Sequence, residues 1–390
     1  MEPYFERGMA ELAIAPESTS ASPANQFAIE TALLILCLRG VAVETPAGID
    51  WLAFQKLAEE NGVLLPVHRQ LTKTSAEMSG SFQRAVSAQR AAAERMAADL
   101  ESLLKALHER GIELLPLKGP ALALTLYGDA AMRQANDLDI LVRREDFPGA
   151  ETLLLGLGFT ALGAIGDHDR RFLRGGLLVE LHFELASPRF FPFEFGGIWN
   201  RSRMSDFRGI PVRALSANDQ VLYLCAHGLK HGFSRLIWIL DVARALRGWS
   251  TSEYQELVLL AQRQGLLAWL LIGCEVVRIM FPEQLPGGLD IAIARFPRAL
   301  KRARRAAQRL FPEEPVAEPF DYRALYLQAE ANPLRRWQYR LRYLAPTQSD
   351  EFWARKHRIP SPLMFLLRPI RLMEKFGPWR VWRILFPSGI

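Results

Sequence analysis

Leu117–Val142 reads LKGPALALTLYGDAAMRQANDLDILV, and this stretch organises the interpretation of the whole chain. Just before it, ELLPLKG is a short apolar run closed by glycine, so strand, turn and helix follow in order, with Pro120–Leu126 as the helix. DLDILV at Asp137–Val142 then alternates like a second strand. Two-residue periodicity puts Asp137 and Asp139 on one face, with Leu138 and Ile140 packing behind. Adjacent carboxylates repel, and a divalent cation with hard oxygen ligands is the usual remedy. A third acid comes from LLVELHFEL at Leu177–Leu185, where Glu180, His182 and Glu184 share a face opposite Val179, Leu181 and Phe183.

Acids so arranged can hold two metal ions, which activate an attacking oxygen and neutralise a leaving pyrophosphate. Phosphoryl transfer also needs a phosphate cradle. Lys118 and Gly119 supply one, because glycine lets the backbone approach a phosphate and the following helix offers its N-terminus. Pro120 suits a first-turn position, where its missing N–H costs nothing. Arg133, four residues before Asp137, would add a positive charge toward a triphosphate.

Outward from this core the pattern is helical on both sides. Helices are expected at Phe27–Arg39, Ile49–Asn61, Leu65–Thr72 and Ser79–Gly111, then across Ala217–Arg247 and Glu253–Met280. A further helix reads at Arg144–Gly158, and Ile210–Leu215 reads as one more short strand. The chain has 390 residues, 49% hydrophobic and 23% charged, more than one compact unit usually holds. The expected division is a flexible leader at 1–26, an N-terminal helical region at 27–110, an α/β core at 111–215, a helical domain at 216–285 and a basic helical region at 286–390. That makes the fold class α+β.

Charge is uneven. Residues 291–390 hold 20 Lys+Arg against 8 Asp+Glu, whereas the first 290 hold 28 against 34. Stretches such as RRWQYRLRYL and MFLLRPIRLMEKFGPWRVWRILF mix these cations with aromatic and aliphatic residues. A solvated helical face with arginine stems on the core is the plain interpretation. A functional one is contact with an anionic membrane surface, in which Trp379, Trp382, Leu385 and Phe386 dip in. No nucleic-acid motif is recognised. Cys37, Cys225 and Cys274 lie far apart and form no disulfide framework. The longest uncharged apolar run is too short to span a bilayer, and no secretory leader is evident, so the expected location is cytoplasmic, with a possible peripheral place at the inner membrane surface.

His227 and His231, four apart on a predicted helix, share a face and could hold zinc, but no third ligand lies nearby in sequence. His182, on the acid-bearing face, either tunes the metal ligands, touches substrate or simply packs.

The segments LPLKGPALALTLYGD, MRQANDLDILV and VELHFEL together resemble the nucleotidyltransferase superfamily typified by DNA polymerase beta. More narrowly, the chain is similar to a bacterial family of uncharacterised nucleotidyltransferases. AEENGVLLPVHRQL and CAHGLKHGFSRLIWILDVARAL extend the likeness over roughly residues 27–280, and the resemblance implies that the helix in the second segment faces the active site, with His231 as a possible substrate contact and Trp238 in the core. The resemblance implies a small polymerase-beta-like α/β core flanked by helical segments. It carries Gly119 to the phosphate turn, Asp137 and Asp139 to the metal pair, and Glu180 to the third acid. It also implies Mg²⁺ or Mn²⁺, an NTP substrate, an unidentified acceptor, and a possible role in peptide or polysaccharide biosynthesis. Where the superfamily turn pairs glycine with serine, this chain has Gly119-Pro120. That departure favours an alternative, a catalytically inactive protein of the same fold that docks a biosynthetic complex or a membrane surface.

Overall fold

A computed structural model describes residues 23–74, 77–163, 165–166, 168–185, 195–308, 310, 322–346 and 348–385. The predicted leader lies almost entirely outside these residues, as does Phe386. Four helices come first: α1 (Pro23–Arg39), α2 (Trp51–Glu60), α3 (Leu64–Leu71) and α4 (Gly80–His108). Asp50 starts α2 by accepting hydrogen bonds from the Leu52 and Ala53 amides at 2.9 and 3.1 Å, and Ser79 caps α4 through the Phe82 amide.

The central part alternates: β1 (Leu114–Pro116), α5 (Gly119–Tyr127), β2 (Asp137–Val142), α6 (Phe147–Gly156), β3 (Thr160–Leu162), β4 (Asp169–Arg174) and β5 (Leu177–His182). Then come α7 (Phe195–Arg201), β6 (Arg203–Phe207) and β7 (Ile210–Ala214). Five strands form one mixed sheet in the order β1-β2-β5-β4-β3, and β6-β7 pair separately. The sequence pattern found β1, β2, β5 and β7 but not β3, β4 or β6. Strand β2 runs parallel to β5, with Asp139 opposite Glu180, and antiparallel to β1.

The remaining helices are α8 (Ala217–Lys230), α9 (Leu236–Ala245), α10 (Thr251–Gln264), α11 (Leu267–Met280), α12 (Gly287–Ala294), α13 (Pro297–Gln308), α14 (Tyr322–Ala329), α15 (Pro333–Leu344), α16 (Gln348–Lys356), α17 (Met364–Phe376) and α18 (Pro378–Leu385). Two stretches expected as long helices are each broken. Gly265, at φ +79°, ends α10 in a left-handed turn that a side chain would strain, and the α8–α9 break contains Gly232 at φ +66°.

Helices from before and after the sheet share one apolar core. Leu33, Phe54 and Leu71 are buried in the same cluster as Leu222, Leu240 and Trp269. The 29-residue α4 ties this core to the sheet: Phe82, Val86 and Ala93 belong to the helical cluster, whereas Leu100, Leu103 and Leu107 pack beneath β2 and β5. With helices anchored on both sides of a small sheet, the molecule is an α+β protein. Among the described residues, no helix is long and apolar enough to cross a membrane.

Candidate active site

Alternation along β2 decides where the acids stand. Leu138, Ile140 and Val142 face the core under α4 and α6, so Asp137 and Asp139 take the other face. Leu141 continues that second face into a small cluster with Leu115, Leu117, Leu215 and Tyr223, which forms an apolar floor below the carboxylates. In β5 the same rule buries Val179 and Leu181 in the sheet core and turns Glu180 and His182 toward the acids. The Leu117 amide donates to the Asp139 carbonyl at 2.9 Å, which pins the Lys118–Gly119 turn to β2. Gly119 has φ +62°, while a Cβ there would meet nothing nearer than the Asp137 carbonyl oxygen at 3.6 Å. Backbone conformation, not space, is what requires glycine at this position.

Asp139 is buried and central. Its Oδ2 lies 3.0 Å from Lys118 Nζ, and its Oδ1 lies 3.3 Å from His182 Nε2, which is 3.7 Å from Glu180 Oε2. One ligand atom from each of Asp139, Glu180 and His182 falls within 4.8 Å of the others, close enough to share a metal ion. Asp137 stands at the edge of this cluster, two residues back along β2. The sequence pattern proposed Asp137, Asp139 and Glu180 as the metal set; the compact group instead includes His182.

Electrostatics separate the acids. Burial works to raise the Asp139 pKa, but the Lys118 ammonium and the His182 hydrogen bond outweigh it and hold the carboxyl well below the usual range. Burial and then the Asp139 charge push Asp137 up, and the same two causes raise Glu180. Three carboxylates with one close ammonium leave the cluster short of positive charge, and the His182 Nδ1 atom is buried with no hydrogen-bond partner. Oxygen donors in excess of cations, with an imidazole alongside, suit a divalent metal.

These groups open into a cleft of about 590 Å³. One wall is the acid face with Arg170 and Arg171 from β4; the other is Tyr223, His227, Lys230 and His231 of α8 and its end, with Arg235 and Trp238. The His227 and His231 rings are 4.8 Å apart, and Trp238 lies 5.6 and 5.1 Å from them. Trp238 is therefore not simply core, as the sequence had it, but half-buried in the cleft wall. No third metal ligand joins the two histidines among the described residues. Arg133 also borders the cleft, yet its Nε donates to Asp241 Oδ2 at 2.9 Å and the pair is buried. Arg133, expected from sequence to add a positive charge toward a triphosphate, thus stands at the cleft with Asp241 as its counter-charge. Lys118 likewise has Asp139 as its partner.

Asp241, Tyr223 and the β4 residues were missed. Strand β4 was legible in RRFLRGGLLVEL, where Gly175-Gly176 between alternating runs is a two-residue hairpin signal. Asp241 had no such signal, because its partner is 108 residues away.

Burial, with Lys230 and Lys118, lowers the His231 pKa from 6.5 to about 4. The unfolded chain therefore takes up the proton first as pH falls, and stability from the neutral ring, present above pH 6.5, is lost progressively toward pH 4. We expect the stability of the wild type relative to His231→Gln to decline between pH 7 and pH 5 in urea unfolding. A difference independent of pH would contradict this environment for His231.

Residues 47–282, more than half of the chain, match the protein family described as "Uncharacterised nucleotidyltransferase". The chain belongs to this family. The nucleotidyltransferase match spans the acid strands, the glycine turn and the helical wall of the cleft. No curated protein matches the sequence. Two solved structures are similar: the solution structure of the antibiotic-resistance factor ANT(2'')-Ia, and a crystal structure of ANT(2'')-Ia in complex with adenylyl-2''-tobramycin. Each is 16% identical and covers 44% of this chain, with 94% and 99% of the respective neighbour covered and a TM-score of 0.36.

Proposed function

We propose that this nucleotidyltransferase moves a nucleoside monophosphate from an NTP to a hydroxyl, phosphate or amine acceptor in the cleft between the acid face and the α8–α9 wall. The observation that carries this reading is the convergence of Asp139, Glu180 and His182, with Asp137 beside them, next to the Lys118–Gly119 turn. Asp137, Asp139 and Glu180 would hold Mg²⁺ or Mn²⁺, with His182 as a further donor. Such an ion supplies charge neutralisation at the reacting phosphate and at the leaving pyrophosphate.

The chain's own residues have distinct tasks. The acceptor atom attacks the α-phosphorus, its bond to the β-phosphate oxygen breaks, and pyrophosphate leaves. Glu180, half-buried at the cleft surface, takes the acceptor's proton. Gly119 brings backbone close to the phosphates, and Lys118 keeps Asp139 ionised. Trp238 and His231, with ring centroids 5.1 Å apart, give a half-apolar surface on which a base or a sugar ring can rest. Placement of both reactants in one cleft supplies the proximity part of the rate enhancement.

The test is isothermal calorimetry of the four NTPs with Mg²⁺ or Mn²⁺, alongside a pyrophosphate-release assay. At least one NTP should bind with an affinity that rises with metal concentration. If no NTP binds in either metal, the assignment fails.

A further inference from the structure

The last helices carry apolar surface twice over. In α15, Tyr339 and Tyr343 are buried against the body, while Leu334, Trp337 and Leu341 recur every three or four residues and stand 64%, 57% and 61% exposed. In α17, Leu372 is buried and Arg368 and Arg371 are tied to Asp350, while Phe365, Leu366 and Ile370 stand 63%, 72% and 50% exposed on a different arc. In α18, Val381 is buried and Trp379 is 69% exposed. Tyr343, Leu372 and Val381 meet in one small cluster, so the three helices are fastened together by their inner stripes. Folding uses only those inner stripes. Exposed apolar stripes on α15 and α17, with Trp379 and Trp382 on the neighbouring α18, amount to a surface suited to a partner.

Charge identifies the partner. Residues 333–385 contain 12 Lys+Arg against 3 Asp+Glu, and Asp350 is already taken by two of the arginines. A second copy of the chain on this face would bring like cations together, which disfavours self-association. A nucleic acid would neutralise the arginines and stack on the tryptophans but leave Leu334, Leu341 and Ile370 in water. An anionic bilayer surface satisfies all three classes of side chain: aliphatic groups at the acyl boundary, indoles at headgroup level and guanidiniums on lipid phosphates. We infer that the α15–α17–α18 face docks the protein in the plane of an anionic lipid bilayer. This surface is independent of the nucleotide chemistry in the cleft.

Sedimentation of the full chain with vesicles tests it. Mixed phosphatidylglycerol–phosphatidylcholine vesicles should pellet the protein at least about tenfold more effectively than phosphatidylcholine alone, with the advantage shrinking as salt is added. Phe365→Ser with Leu366→Ser and Ile370→Ser should lose about tenfold or more of that binding while keeping the wild-type thermal melting curve. Trp337→Ser with Leu341→Ser, on α15, should do the same from another helix. Brominated lipid should quench tryptophan emission of the wild type, a readout that needs no substitution. The inference is overturned if the protein ignores anionic vesicles, or if the apolar substitutions leave binding unchanged. It is equally overturned if ultracentrifugation finds a dimer that those substitutions dissolve while vesicles stay unbound.

Discussion

Asp139→Asn is expected to weaken metal-linked NTP binding by about a hundredfold or more, since loss of even an outer partner of a metal ligand costs roughly tenfold to a hundredfold. Calorimetry at several Mg²⁺ concentrations reads this directly: the variant should lose the dependence of affinity on metal. The same substitution also removes the anionic partner of buried Lys118, whose ammonium is opposed by burial and held by Asp139 and Asp137. Asp139→Asn should therefore lose stability as well. Asp137→Asn separates the two effects. Its carboxyl is raised by burial and by Asp139, so the native state disfavours that charge, and a neutral side chain there should not lower stability at pH 7. It should still weaken metal-linked binding. If Asp139→Asn is destabilised but binds Mg·NTP as the wild type does, Asp139 is only the structural partner of Lys118 and the site assignment is wrong.

Much of the acid face was legible because β-strand alternation is a local rule. DLDILV and LLVELH each announce their two faces within six residues, and the strands lie side by side with Asp139 opposite Glu180. Gly119 was legible for a related reason: a glycine between a short apolar run and a helix marks a backbone that other residues adopt at a cost. What the sequence could not show was how far the charges pair across the fold. Lys118 and Arg133 read from sequence only as cations near the phosphates, and the fold adds that Asp139 and Asp241 stand against them. His182 joins the acid cluster because β5 is parallel to β2, a register that no local pattern encodes.

The helical parts divide in the same way. Periodicity located α2, α3 and α4 closely, since one buried face repeats at helical spacing. It did not reveal that helices on either side of the sheet share one core, because Phe54 and Leu240 join the same cluster only in three dimensions. Nor did it place Trp238, whose apolar character matched a core position equally well. The break at residues 231–235 turns α9 so that this indole lies against the two histidines at the cleft.

Asp241→Ala is expected to have the largest effect on stability, a loss of roughly 3–5 kcal/mol, because it leaves a buried guanidinium without its counter-charge. Asp241 is fully buried in α9, accepts from Arg133 Nε at 2.9 Å and from the Tyr127 hydroxyl at 2.7 Å, and so joins the end of α5 and the loop before β2 to the helical core. Burial and the Asp241 charge raise the Tyr127 pKa well above its ordinary value, so the phenol stays protonated and donates. Removing the carboxylate strands both donors at once. The ion pair itself, however, contributes less than its loss costs, because both charges were desolvated to form it. Asp241→Leu combined with Arg133→Met should therefore recover most of the stability lost by Asp241→Ala, with only the Tyr127 hydroxyl left unpaired. Urea midpoints of the wild type, the single variant and the double variant decide the matter. A single variant within about 1 kcal/mol of the wild type would mean the pair is well hydrated. A double variant no more stable than the single one would mean that Asp241 supports the loop geometry itself, and metal-linked NTP binding should then fall in both.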